Sequence, residues 1–216
     1  MTAAALALLG CIAGCAPHHR AAWDARAAAK YLDQREAWWA GWSRSQRDAN
    51  TFCVSCHTAL PYALVRPALA QQLHERAPVS AERQLLEDVS RRVALWQTIR
   101  PYYGDKAVAS RGTEAVLNAL ILANRDAHQP RLGADTEAAF RDLWALQASN
   151  GPDAGSWPWI QFNNEPWEAP DSRYYGAALA AMAVGLAPAE YRARPDVQTA
   201  LGALRGYLTR ELAAQT

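Results

Sequence analysis

Two kinds of helical segment alternate in the C-terminal half of the chain, and their order limits the fold more than any other feature. Residues 110–123 (SRGTEAVLNALILA) are apolar nearly all round after their first turn, whereas residues 136–149 (TEAAFRDLWALQAS) carry one apolar stripe. Residues 172–185 (SRYYGAALAAMAVG) are again small and apolar, and residues 195–212 again amphipathic, through Val197, Leu201, Leu204 and Leu208. A helix apolar on every side has to be enclosed by others, while one with a single stripe covers a neighbour and faces water. The order of enclosed then half-enclosed helix recurs at a period of roughly 60 residues. This predicts an all-α array of antiparallel helical hairpins. No stretch of useful length shows the period-two alternation of a strand.

Upstream, residues 21–44 are Ala-rich, with Trp23, Tyr31, Trp38, Trp39 and Trp42 near helical spacing and no Gly or Pro before Gly41. They predict a helix with an aromatic face. Pro61 and Pro67 limit helix after that, until Pro67 serves as the first residue of a helix over residues 68–76. Ser80 then caps a periodic segment with Leu86, Val89, Val93 and Trp96 on one side and Glu87, Arg91 and Arg92 on the other. The segment 101–104, Pro-Tyr-Tyr-Gly, ends it.

A chain of 216 residues is one domain's worth and long enough to bury a core. Its 22 Lys and Arg balance 21 Asp and Glu, a net charge of +1, and no basic run exists to steer it to nucleic acid. The first residues are different in kind. From Ala3 to Ala13 the chain is almost wholly apolar, too short to span a bilayer, and it turns polar at Pro17-His18-His19-Arg20. This reads as the apolar region of a secretory signal over residues 1–15, against a plain N-terminal helix as the alternative. The run Ile12-Ala13-Gly14-Cys15 resembles a bacterial lipobox, with Leu8-Leu9-Gly10-Cys11 a weaker second candidate. That resemblance implies a protein of the periplasm or cell envelope, anchored in a membrane by lipid on Cys15, with residues 16–216 as one helical domain.

Four Cys cannot build a disulfide scaffold, and the lipobox reading leaves two of them for chemistry, Cys53 and Cys56. They stand in the run Cys53-Val-Ser-Cys56-His57. Two thiols a turn apart can add to the two vinyl groups along one edge of a haem, and the following His is then held under the iron. The run resembles the haem-attachment motif of c-type cytochromes. This implies one covalent haem c on a segment of about residues 50–67, with His57 as the proximal iron ligand. Two other readings stay open. A CxxC redox pair would normally follow a strand in a βαβ setting, and a zinc site would need ligands beyond Cys53, Cys56 and His57. For the distal iron ligand the candidates are Met182 and His74, each with an ordinary reading beside it: core filler for Met182, surface histidine for His74. Trp38, Trp39 and Trp42 would wall a haem pocket or pack as the core of the first hairpin.

Catalytic motifs are missing. Ser is never found as Gly-x-Ser-x-Gly, and the acidic residues near aromatics, Asp153, Glu165, Glu168 and Asp171, are isolated. Asp171-Ser172 reads as a helix cap, and Glu114 as a charge suited to a helix start. The expectation is an electron carrier or haem-containing subunit rather than an enzyme, with a redox partner protein in the cell envelope.

The connector at residues 147–159 bears a second resemblance. In Leu143…Gln147…Gly155-Ser156-Trp157, a helix-terminal Gln can bond free backbone groups, and a Gly before Trp allows a turn that lays the indole over the helix end. This is similar to the Gln–Trp repeat of the squalene cyclase and prenyltransferase superfamily. Over roughly residues 80–212 it implies part of an α/α-toroid of inner and outer helices. Neither the Asp-x-Asp-Asp acid nor the Asp-Asp-x-x-Asp metal site of that superfamily occurs here. The competing expectation is therefore a toroid that binds or processes a polyprenoid or glycan in an aromatic cavity, with the Cys pair structural.

Overall fold

The computed structural model describes residues 23–214. The signal-like segment, with Cys11, Cys15, His18 and His19, lies outside them. Among the described residues the architecture is all-α: eight α-helices and one two-stranded hairpin. None of these helices is long and apolar enough to cross a membrane.

Helix α1 (Ala25–Gly41) starts where the Asp24 carboxylate accepts the free N–H groups of Arg26 and Ala27. Its aromatic face is shorter than the spacing suggests. Trp23 and Tyr31 are exposed, and only Trp38, Trp39 and Trp42 form a cluster, at the C-terminal end. The hairpin β1 (Gln46–Arg47) and β2 (Thr51–Phe52) follows, with Ala49 and Asn50 in the left-handed region at its turn.

Helix α2 (Ala59–Gln72) corrects the expectation that Pro61 and Pro67 delay helix formation. Pro61 falls in the first turn, where its missing N–H has no intrahelical acceptor to leave vacant. Pro67 lies in the interior and deprives the Ala63 carbonyl of its partner. The Asn124 side chain supplies one instead, its Nδ2 donating to the Ala63 oxygen at 3.0 Å. A tertiary contact thus repairs what the local sequence breaks.

Helix α3 (Ser80–Ala94) takes Val79 rather than Ser80 as its N-cap. On its polar side Glu87 and Arg91 are exposed as expected, but Arg92 is not. Arg92 is fully buried, donates to Glu114, Thr51 Oγ1 and the Arg100 carbonyl, and lies 4.1 Å from the Tyr102 ring centre. Glu114 is accordingly not a helix-start charge. It sits two turns inside α4 (Ala107–Asp126), a helix buried along most of its length. Helix α4 is the centre of the molecule, flanked by α5 (Ala134–Ala145) and α6 (Arg173–Leu186), close to the predicted apolar and amphipathic segments. At the α4–α5 corner Arg125 pairs with Asp126 and Asp135, and Asp126 also accepts the Gly133 N–H and the Thr136 hydroxyl. A short α7 (Ala189–Arg192) leads to α8 (Pro195–Ala214), which packs on α6 through Val197, Leu204 and Tyr207.

The connector from α5 to α6 is fastened to both. Gln147 Nε2 donates to the carbonyls of Gly155 and Ala200, each at 3.0 Å, so it joins the end of α5 to α8. Trp157 is buried and its indole N–H donates to the Leu143 carbonyl at 2.7 Å, over the end of α5. Gly155 has φ +96°, and a Cβ there would collide with the Ala203 backbone of α8. Further along, Pro158 presses on Gly112 of α4 and the Trp159 ring on Gly176 of α6. These clamps deliver residues 160–168 to the mouth of the cleft described below.

Between α1 and α3 lie two buried carboxyls, Glu36 with both oxygens unpartnered and Asp88 with one. Burial, reinforced by Asp88, pushes Glu36 up to about 8, and burial pushes Asp88 up to about 7. Both groups hold protons in the folded chain over a range in which the unfolded chain has released them, so folded-state stability falls as the pH rises. Thermal or urea unfolding between pH 5 and 8.5 is expected to show a loss on the order of 5 kcal/mol, and Glu36→Gln is expected to flatten the slope.

Candidate functional site

The hairpin and the start of α2 bracket the segment Cys53-Val-Ser-Cys56-His57. Its backbone is held at both ends. The Cys53 N–H donates to the Ser45 carbonyl at 2.8 Å, and the Cys53 carbonyl accepts the Trp39 indole N–H at 2.6 Å. Just before it, the Phe52 N–H donates to Asp88 at 2.7 Å. Within it, Ser55 Oγ accepts the N–H groups of Thr58 and Ala59 at 2.9 and 3.1 Å, doing for α2 what a capping side chain does. Ser55, one of the two residues between the Cys, thus fixes their turn.

Cys53 and Cys56 are both buried and both free thiols. Cys53 Sγ lies 4.0 Å from the Tyr103 hydroxyl. Burial pushes the Cys53 thiol up to about 11, and burial together with nearby Glu168 raises Cys56 further. Such sulfurs keep their protons. Exchange-active CxxC pairs have the opposite electrostatics, with a thiol lowered by a positive environment. Among the described residues no group of three or more His, Cys, Asp or Glu side chains is arranged to hold a metal ion. The His57 side chain is exposed, its ring set between Trp39 at 6.2 Å and Trp167 at 5.8 Å.

Cys53, Cys56 and His57 line one cleft of about 500 Å³. Trp38 and Trp39 of α1, with Trp42 just after it, form one wall, so the aromatic cluster does face the Cys pair. Tyr102 and Tyr103 from the segment after α3 form another, with Tyr103 packed edge-on against Phe162 at 4.9 Å. Ile160, Phe162, Asn164 and Glu168 come from the clamped connector. Of the four acidic residues near aromatics, only Glu168 reaches the cleft, and Asp171 is exposed beside Ser172, which precedes α6. Arg35 stands at the mouth over Trp38, and Arg47 over Tyr103, at 4.7 and 4.9 Å from the ring centres.

The two distal-ligand candidates are not brought to this place. Met182 is half exposed on α6, and His74 sits in an exposed turn after α2 with φ +55°; neither lines the cleft. The periodicity that assigned Met182 to an apolar helix was right about the helix, but the side chain lies toward solvent. Tyr175 packs against Trp159 at 6.0 Å, and neither it nor Tyr174 lines the cleft. Phe162 had no warning in the sequence, while Glu168 stood out only as an acid near aromatics; with Trp167 they reach the site because the connector folds back.

The residues fit a haem of the c type. It needs two thiols and an imidazole from one segment, flat apolar walls, and a cation near the propionates. Two protonated thiols and His57 share one cleft, the walls are aromatic, and Arg35 is at the mouth. No known family's sequence profile, no curated protein and no solved structure matches this chain.

The thiol environment has a direct consequence in the haem-free protein. Alkylation of Cys53 and Cys56 by iodoacetamide at pH 7.5, followed by mass spectrometry, is expected to run at least roughly 100-fold slower in the folded than in the unfolded chain. Equal rates in the two states would mean that the sulfurs are not buried.

Proposed function

We propose that this chain is a c-type haem protein of the bacterial cell envelope whose role is electron transfer. The observation that carries the reading is the convergence of Cys53, Cys56 and His57 on one aromatic-walled cleft. Each thiol would add its sulfur and its hydrogen across one vinyl double bond, giving two thioethers with no leaving group. Burial holds the thiols in the protonated form that this addition consumes. The Trp39 and Ser55 hydrogen bonds keep the turn in one conformation, so the imidazole that follows Cys56 arrives in a fixed direction. His57 would be the proximal ligand, flanked by the Trp39 and Trp167 rings, which orient it.

The bound group would supply reversible one-electron chemistry at iron. The chain's contribution is to exclude water from it. Trp38, Trp42, Tyr103 and Phe162 line the cleft with apolar surface, which favours the less charged, reduced state, while Arg35 would neutralise a propionate at the mouth. Trp38, 49% exposed, gives a redox partner protein an aromatic contact at the rim.

The finer reading of the fold is that the hairpins of α4, α5, α6 and α8 are part of an α/α-toroid, supported by the Gln147 and Trp157 clasp between α5 and α8. The finer reading of location is export by the signal-like segment and lipid anchoring at Cys15, consistent with the oxidising compartment in which c-type haem is attached.

The test is coexpression with a cytochrome c maturation system, followed by a pyridine haemochrome spectrum and intact mass. Wild type is expected to show a c-type spectrum and the mass of one covalent haem, both lost in Cys53→Ala/Cys56→Ala. If neither protein carries haem, the reading fails, and the cleft becomes a candidate site for an apolar, ring-bearing ligand such as a polyprenoid.

A further inference from the structure

Helix α1 packs one side against its neighbours and turns the other outward. Ala29, Glu36 and Ala40 are buried, whereas Arg26, Ala27, Lys30, Tyr31 and Gln34 are exposed on the outward side. Trp23 stands at the N-terminal end of the helix, 71% exposed, and Tyr31 is 62% exposed. The cleft uses neither ring. An indole or a phenol, apolar in body and polar at one edge, is at home where water meets lipid. Lys and Arg beside it can lay their stems on apolar material while their charged ends stay at the level of the headgroups.

The free charge on this side is positive. Among the described residues neither Arg26 nor Lys30 pairs with a carboxylate. Residues 1–22 contain no Asp or Glu to supply one, and Arg20 adds a further cation. The Asp24 carboxylate is taken up in capping α1. Arg26 and Lys30 also border an open groove of about 500 Å³ beside α1, which Val79 and Ser80 at the start of α3 close on the far side. The carboxylates in that groove, Asp33 and Glu75, are both bonded to the buried Arg66, at 2.8 and 2.7 Å. An overall charge of +1 hides this feature, because the cations come together only when α1 has folded. Residues 16–22 alone separate Cys15 from Trp23, a tether that spans about 28 Å at full extension.

We propose that the N-terminal end and outward side of α1 lie against an anionic lipid bilayer, with Trp23 and Tyr31 among the headgroups and Arg26 and Lys30 paired with lipid phosphates. The proposal rests on the lipid-anchoring reading of Cys15 and is independent of the haem. A tether alone limits how far the domain strays from the membrane, whereas contact along α1 also fixes its orientation. One lipid chain holds a protein at a membrane only marginally, and a cationic surface is a second signal that makes the attachment stable. Its attraction is to acidic headgroups, so the contact depends on lipid composition and on salt.

The experiment mixes the full chain, made in a bacterium, with vesicles of phosphatidylglycerol and phosphatidylcholine in equal parts, and with phosphatidylcholine vesicles for comparison. Hydroxyl-radical footprinting read by mass spectrometry then reports the exposure of each side chain. With the anionic vesicles, oxidation of Trp23 and Tyr31 is expected to fall by at least roughly fivefold. Met182 and Leu212, exposed on α6 and α8, are expected to keep their rates. Arg26→Gln/Lys30→Gln, at two exposed positions, is expected to return Trp23 and Tyr31 to the rates seen with phosphatidylcholine, as is salt at about 1 M. The mass of the N-terminal peptide from the same sample shows whether Cys15 carries lipid, so the anchoring reading is judged separately. A chain that sediments with the anionic vesicles while Trp23 and Tyr31 stay open overturns the proposal and leaves that face to a partner protein. A chain that does not sediment with them overturns it too, as does equal protection of Met182 and Leu212, or protection that is the same on phosphatidylcholine.

Discussion

The buried guanidinium of Arg92 is the interaction around which the cleft is assembled. It joins α3 to Glu114 of α4, to Thr51 of the hairpin and to the Arg100 carbonyl, and it supports the Tyr102 ring. Those four attachments are the elements that border the Cys pair on one side. A charge so placed is tolerated only while all its partners are present, because removing one leaves the other ion uncompensated, at about 3–5 kcal/mol. Its value to the fold is therefore less in net stability than in permitting one arrangement of the hairpin, α3 and the tyrosine segment.

The opposite side of the cleft depends on a different device, the clasp that holds the long connector. Gln147 and Trp157 fasten it to α5 and α8, and Gly112 and Gly176 let Pro158 and Trp159 approach α4 and α6 without a Cβ between them. Ile160 then bonds Thr113 on α4, and the Trp159 indole bonds the Trp167 carbonyl. Residues 160–168 thereby become a wall rather than a loose loop. Two independent constraints, one ionic and one built on small residues and indole hydrogen bonds, converge on a single aromatic cavity.

Much of this was legible before any coordinates. The apolar period located α4 and α6, and the amphipathic period α5 and α8, because enclosed and half-enclosed helices differ in composition along their whole length. The Cys53-x-x-Cys56-His57 run and the three Trp upstream were recognisable as neighbours because they are local. The errors share one cause, a partner far away in sequence. Pro67 stays inside α2 because Asn124 compensates its missing N–H, and Arg92 is buried because Glu114, 22 positions on, is waiting for it. Local rules place prolines at helix starts and arginines in water, and both rules were overridden by α4. The place of Phe162, Trp167 and Glu168 beside the Cys pair was unreadable for the same reason.

The central claim is that the Cys53–His57 segment is built to carry a covalent haem through both of its sulfurs. Peptide mapping by tandem mass spectrometry, on protein matured in a cell that attaches haem c, addresses it most directly. The account predicts that the peptide spanning Cys53 to His57 carries one haem linked at both Cys53 and Cys56, with neither sulfur open to alkylation after denaturation. Recovery of that peptide with two unmodified thiols, or with a disulfide between them, would contradict it.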